Sequence, residues 1–262
     1  MASAAVSADL VPATTVDAIP PHALYLPSDA ANRGPLPVLV ALHGMGWDGP
    51  SFSAPLLAQA DRLGWVVVAP TFSYGDWHDP EQVRRDDAAF LPQLKALIDS
   101  LPSRTGLPIQ SRVMLYGFSR GGQLAHRFAL FYPRSVLGVA SFSCGTYTLP
   151  YTRGMPQAGS LPVNFPYGLA DLDRYTGRAI DLDALRQESF LIGVGGADNQ
   201  TGDLPHQWDY LGATRLDRAT AYYRDLVGVG IPAQMVVFPN VTHSETDEMR
   251  AQALGFLSSL KP

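Results

Sequence analysis

The chain has 262 residues, 46% hydrophobic and 16% charged, which suits one α/β domain burying roughly three quarters of its unfolded surface without help from a second domain. Its formal charge is −5 with Lys and Arg scattered along the chain, so neither nucleic acid nor an anionic membrane surface is expected as a partner. No stretch is long and apolar enough to span a bilayer, and the single cysteine, Cys144, excludes an internal disulfide.

Residues 1–20 are mostly small or Pro with little periodicity, which predicts a weakly ordered lead-in ending at Pro20-Pro21. Met1 to Asp9 shows no basic region ahead of a hydrophobic core, so no secretory leader is expected there; a cytoplasmic protein and a secreted one after leader removal read alike at this point. Residues 21–262 read as one domain. His22 to Leu26 is a candidate strand, and Pro37 to Leu42 is a continuous apolar run of the kind buried on both faces of a sheet. A helical segment over about Ala54 to Leu63 leads to a second such run, Gly64 to Pro70. Two buried strands joined by a helix predict a parallel βαβ unit.

Thr71 to Pro80 is a loop containing Trp77. From Glu81 to Ser100 apolar residues recur at helical spacing, with Asp86 and Asp87 nearer the start, where the helix dipole favours carboxylates. Arg112 to Leu115 is the next apolar run, and it enters Tyr116-Gly117-Phe118-Ser119-Arg120-Gly121-Gly122 and then a helix-compatible stretch from Gln123 to Phe131. Further strands are expected around Val136 to Ala140, Phe190 to Ile192 and Ala233 to Pro239, and further helices over Leu211 to Val227 and Thr246 to Leu260. Between two of these strands, residues 146–187 carry several Pro and Gly with Tyr147, Tyr151, Phe165, Tyr167 and Tyr175. A connection this long inside a compact domain predicts a lid or a substrate-facing wall.

Gly117-Phe118-Ser119-Arg120-Gly121 satisfies G-x-S-x-G between a strand and a helix, the setting in which a tight turn presents a nucleophilic serine. The glycines have a steric reason, since neighbouring backbone presses against such a turn where a Cβ would stand. A serine hydroxyl needs a base within hydrogen-bond reach and a carboxylate to orient that base. His243 follows the last expected strand and Asp198 follows the one before it, giving the chain order Ser119, Asp198, His243 of an α/β-hydrolase triad. The developing oxyanion needs two donors, for which the backbone N–H groups of Arg120 and of Met45, in His43-Gly44-Met45-Gly46, are the candidates. Asp203 and Asp209 are reserves for the acid.

His43-Gly44-Met45-Gly46, Arg85-Asp86-Asp87-Ala88-Ala89-Phe90, Gly117 to Gly122, Ala197-Asp198 and Thr242-His243 resemble α/β-hydrolases of the polyhydroxybutyrate depolymerase and feruloyl esterase-like group, over about residues 22–260. The resemblance implies an α/β-hydrolase fold, a mostly parallel sheet with helices on both faces, and hydrolysis of a small or polymeric carboxylic ester. In that reading Ser119 is the nucleophile, His243 the base and then acid, and Asp198 its orienter. The Gly-x-Ser-x-Gly-Gly form is also similar to prolyl oligopeptidase-type peptidases, which keeps a serine peptidase open, and a non-catalytic binding protein of the same fold is a third reading.

Ser143, in Ser141-Phe142-Ser143-Cys144-Gly145, lacks the leading glycine and a following helix, and is set aside. No cofactor is expected, because Gly193-x-Gly195-Gly196 lacks the third spaced glycine of a dinucleotide fingerprint. No metal is expected either, since His22, His78, His126 and His206 show no ligand spacing. His43 is read as shaping its turn. Trp47, Trp77 and Trp208 fall in loops and are candidate substrate walls. The oligomeric state is not readable from these features.

Overall fold

The computed structural model describes residues 19–153 and 161–261. The expected lead-in therefore lies, but for its last two residues, outside the described residues. In chain order the elements are β1 (His22–Tyr25), β2 (Val38–Leu42), α1 (Gly49–Ser53), α2 (Leu57–Leu63), β3 (Val66–Pro70), α3 (Pro80–Thr105), β4 (Val113–Phe118), α4 (Arg120–Phe131), β5 (Val136–Phe142), α5 (Asp173–Thr176), α6 (Leu182–Leu185), β6 (Ser189–Gly195), α7 (Arg215–Gly228), β7 (Ala233–Phe238) and α8 (Asp247–Ser258).

The strands form one sheet in the order β1-β3-β2-β4-β5-β6-β7, with β1 antiparallel to β3 and every other pair parallel. β2, β3, β4 and β5 are buried along their whole length, which explains why they read as unbroken apolar runs with no alternation. Alternation appears instead in what each residue touches. Val38, Val40, Leu115 and Ile192 pack with the face that holds α3, α4 and α7, whereas Leu39, Ala41, Met114 and Leu191 pack with Phe52, Leu56 and the apolar stripe of α8.

Helix starts follow local capping. Asp48 Oδ1 accepts from Ser51 N at 2.7 Å, so helix begins at Gly49, earlier than apolar spacing alone suggested. Asp79 caps α3 with Pro80 in its first turn, and Thr214 and Asp217 form a reciprocal capping box that starts α7 at Arg215. The sequence predicts that helix from Leu211, but Leu211 ends a separate 3₁₀ turn over His206–Leu211 and Gly212 to Thr214 are non-helical.

In their described part, residues 146–187 pack against the core. Tyr147, Leu149, Phe165, Leu169 and Leu172 are buried in the core beside α4 and α7. The aromatic and aliphatic content that suggested a substrate wall is used to close the hydrophobic core, where burying each large side chain contributes roughly 1.5–3 kcal/mol.

Sequential strands lie on opposite sides of β2, with β3 on one side and β4 on the other, so the chain reverses its direction of travel across the sheet at the β2–β4 pair. A crevice opens at such a point beyond the carboxyl ends of the strands. The loops after β2, β4, β6 and β7 all emerge on that rim.

Candidate active site

Ser119 joins β4 to α4 with φ 55° and ψ −118°, a region that non-glycine residues avoid and that costs on the order of 1–3 kcal/mol. The turn is held by Ser119 N donating to Phe142 O at 2.8 Å and Gln123 N donating to Ser119 O at 3.0 Å. Close approach explains the flanking glycines: a Cβ at Gly117 would stand 2.3 Å from Gly121 O, and one at Gly121 would stand 2.0 Å from Leu42 O. No side chain fits at either position.

His243 Nε2 lies 2.9 Å from Ser119 Oγ, and His243 Nδ1 lies 2.8 Å from Asp198 Oδ2. The three residues are thus linked by hydrogen bonds although they come from three loops. Asp198 is buried, and its other oxygen accepts from Arg215 Nη1 at 3.1 Å. Arg215 in turn donates through Nη2 to Asp203 Oδ2 at 2.8 Å. Asp203 and Asp209 make their own ion pairs, with Arg215 and Arg218, while the bond to His243 comes from Asp198.

Met45 and Arg120 both border the cleft above Ser119. Arg120 is the first residue of α4, so its backbone N–H has no acceptor within the helix. Met45 occupies the second position of a turn closed by Trp47 N and Gly44 O, with Gly46 at φ 74° supplying the left-handed third position of a type II turn. His43 anchors this loop. Its Nδ1 donates to Gly44 O at 2.7 Å and its Nε2 accepts from Phe72 N at 3.0 Å, which requires a neutral ring. Burial pushes its imidazole below the ordinary value, in keeping with that tautomer.

The side chain of Arg120 turns away from the cleft. It shares Asp87 with Arg127 at 2.7 and 2.6 Å, all three side chains being fully or almost fully buried, and its guanidinium lies 4.8 Å from the ring centre of Tyr74. Asp86 accepts from Gly75 N at 2.8 Å and from Gln82 Nε2 at 2.7 Å. The dipole explanation of these two carboxylates is therefore replaced by a structural one. Asp87 falls well inside α3, on its buried face, and meets cations from α4.

The cleft has a volume of about 250 Å³. Trp47, 47% exposed, stands at its edge, and Trp77 borders it while donating through Nε1 to Asp203 O at 3.1 Å. Trp208 does not reach it. That ring is buried, packs at a tilt against Tyr167 with ring centres 4.7 Å apart and donates to Tyr147 O at 2.8 Å, so its role is to pin the 146–187 segment to the core. The wall facing Ser119 comes instead from Gly145, Leu204 and Pro205, and none of the described residues of 146–187 borders the cleft. Sequence reasoning also missed Gln123 and Arg215, both of which line it. The signal for buried pairing was present in Asp86-Asp87, two carboxylates at positions continuous with the apolar stripe Val83, Leu91, Leu94 of α3. Ser143 shares a positive φ, 50°, yet is fully buried.

No residue group among those described could hold a metal ion, and none of their helices is long and apolar enough to cross a membrane. No family model matches the chain. Among solved structures, poly(aspartic acid) hydrolase-1 from Sphingomonas sp. KT-1 aligns over 91% of both chains with a TM-score of 0.64 and 18% identity. Esterase PE8 aligns over 92% of this chain and 98% of its own, with a TM-score of 0.59 and 19% identity. A carboxylesterase from Mesorhizobium loti aligns over 93% and 97%, with a TM-score of 0.57 and 18% identity. What is common at such identities is the course of the backbone, and together with the parallel sheet and its elbow at Ser119 it assigns the chain to the α/β-hydrolase fold.

Proposed function

We propose that the protein is a serine hydrolase of carboxylic esters that works through an acyl-enzyme on Ser119. The observation that carries the proposal is the hydrogen-bonded chain from Ser119 Oγ through His243 to the buried Asp198, at the base of a cleft and on a strained turn. Ser119 Oγ attacks the ester carbonyl carbon as His243 Nε2 takes its proton. The carbonyl oxygen becomes an oxyanion held by the N–H groups of Met45 and Arg120. Collapse of this intermediate breaks the bond to the alcohol, which leaves with the proton from His243. Water then repeats the sequence on the acyl-enzyme and releases the acid. Asp198 holds Nδ1–H of the ring, so that Nε2 faces the serine.

Loss of one oxyanion donor in such a site costs about 10²–10³ in rate, which is why a loop pinned by His43 and a helix start pinned by the elbow suit the role. Structural neighbours that are an esterase and a carboxylesterase support ester substrates, while poly(aspartic acid) hydrolase-1, whose polymer is joined by amide bonds, keeps the peptidase as the second reading. Trp47 and Trp77 serve as apolar walls for the substrate. No cofactor is required by this chemistry.

Hydrolysis of p-nitrophenyl butyrate tests the proposal. The wild type is expected to turn it over, and Ser119→Ala is expected to lower kcat by at least about 10³-fold while keeping its fold by circular dichroism. Undiminished activity in Ser119→Ala would remove the acyl-enzyme, and faster cleavage of a peptide than of any ester would restore the peptidase reading.

A further inference from the structure

Gln123 stands one helical turn beyond Ser119 on α4 and is only 4% exposed, and its amide is anchored at one end alone. Oε1 accepts from Thr146 Oγ1 at 2.7 Å and from Arg127 Nη1 at 3.3 Å. A guanidinium has no acceptor atom, so it must face the amide oxygen, and this settles which way the amide points. Thr146 Oγ1 itself accepts from Arg127 Nη2 at 2.7 Å, which directs its own proton at Gln123. Arg127 is fixed by Asp87.

The Nε2 end consequently faces away from this network and donates to no acceptor among the described residues. It faces the cleft, which Gln123 lines together with Gly145 and Leu204. Gly145 marks the spot, because a Cβ built there would come within 3.6 Å of Nε2. The backbone of Gly145 thus lies directly beside the free end of the amide at the cleft wall.

A donor that opens on the cleft from an almost wholly buried residue, locked in orientation by a charged network, is preorganised for an acceptor on a ligand. An alkyl chain packed against it would leave the N–H groups unpaired, whereas an oxygen at the same place would satisfy them. Side chains four residues apart on a helix have Cβ atoms about 5–6 Å apart, so the acceptor belongs within a few bonds of the carbonyl that Ser119 attacks. The alcohol leaves past His243, from which it takes its proton, and the acyl part remains against α4. Nε2 is uncharged, and the Asp203 carboxylate and Arg215 guanidinium that share the cleft are paired with each other at 2.8 Å, so the charge beside the amide is balanced and the donor suits a neutral acceptor.

On the ester hydrolase reading, we infer that Gln123 is a specificity-determining residue whose Nε2 recognises an uncharged oxygen, in an ether, hydroxyl or carbonyl, on the acyl chain of the substrate. The test compares p-nitrophenyl hexanoate with its three analogues in which the CH₂ at position 3, 4 or 5 is replaced by oxygen. Each kcat/KM is divided by the rate of alkaline hydrolysis of the same ester, to remove intrinsic reactivity. In the wild type at least one oxygen analogue is expected to be favoured about tenfold over hexanoate, the effect of one neutral hydrogen bond. Gln123→Met is expected to abolish that preference. Gln123→Glu keeps an oxygen for Arg127 and Thr146 but puts an acceptor where the donor stood, and is expected to prefer hexanoate. Either variant suffices if the other does not fold. Equal corrected rates for the four esters in the wild type, or a preference that survives substitution, overturn the inference and leave the hydrolase standing. If the wild type hydrolyses none of the four, the ester hydrolase reading fails and this inference with it.

Discussion

Arg215 connects Asp198, the proposed orienter of His243, to the loop that walls the cleft. Its guanidinium donates to Asp198 through Nη1 and to Asp203 through Nη2, and the backbone oxygen of Asp203 accepts from Trp77. A carboxylate bonded to His243 on one side alone could rotate about its χ2 torsion; the second bond from Arg215 fixes its plane and with it the direction of the imidazole. Outer partners of this kind typically change activity by one or two orders of magnitude when removed. We expect Arg215→Met to lower kcat for p-nitrophenyl butyrate about 10- to 100-fold with a smaller change in KM, and Arg215→Lys to recover only part of it, because an ammonium lacks the planar fork that spans two carboxylates. Steady-state kinetics on the three proteins measure this, and an unchanged kcat in Arg215→Met would show that Asp198 holds its place without it.

At the scale of elements, the contact between α3 and α4 is held by one carboxylate serving two guanidiniums. Asp87, Arg120 and Arg127 are buried together, and the elbow serine, Ser119, immediately precedes the helix they brace. Asp87→Asn removes the charge and leaves two buried cations, a change that costs about 3–5 kcal/mol when a buried pair loses one partner. Urea unfolding is expected to show a loss of that order, and a loss below about 1 kcal/mol would mean that the cations find other partners. Elements were legible in the sequence where one local rule decides them: the apolar runs of β2 to β5, and the Gly117 to Gly121 spacing, which only a tight turn explains. The order of Ser119, Asp198 and His243 was legible too, because a parallel sheet delivers its strand ends to one rim. What stayed hidden depends on where a side chain points. Trp208 and Trp77 both lie in loops rich in polar residues, yet one is fully inside the core and the other borders the cleft. Residues 146–187 have the aromatic and proline content of a lid, and that content serves equally well to cover α4 and α7. Arg215 and Gln123 show nothing in sequence, since their roles come from partners 17 and 23 residues away.

For the whole molecule, the pH dependence of stability follows from groups buried in their neutral forms. His126 is fully buried, with Nδ1 on Gly122 O and Nε2 accepting from Thr148 N, and burial together with the neighbouring Arg127 holds it well below the ordinary imidazole value. The stability that its neutral form contributes is complete above about pH 6.5 and is lost as pH falls below that value toward its folded one. Glu188, at the entry to β6, acts in the opposite sense. Both of its carboxylate oxygens are buried without a partner among the described residues, and burial pushes it well above the usual carboxylate range, Arg112 opposing the shift only in part. Its protonated form is the one that fits the fold, so the folded state holds a proton that the unfolded chain has given up above about pH 4.3. Stability therefore declines by about 1.4 kcal/mol per pH unit from there until the buried carboxyl ionises. Below about pH 6.5 the His126 slope offsets this decline, and above it the Glu188 slope is no longer offset by His126; Asp225, whose carboxyl burial also raises, acts in the same sense as Glu188. Glu188→Gln removes the ionisation while keeping the shape, so any cost of the unpaired amide is the same at every pH. The expected result is a variant whose free energy of unfolding, measured in urea, changes little relative to wild type near pH 4 and gains steadily on it toward pH 8. A gap between the two proteins that stayed constant from pH 4 to pH 8 would mean that Glu188 ionises in the folded protein as it does in the unfolded chain.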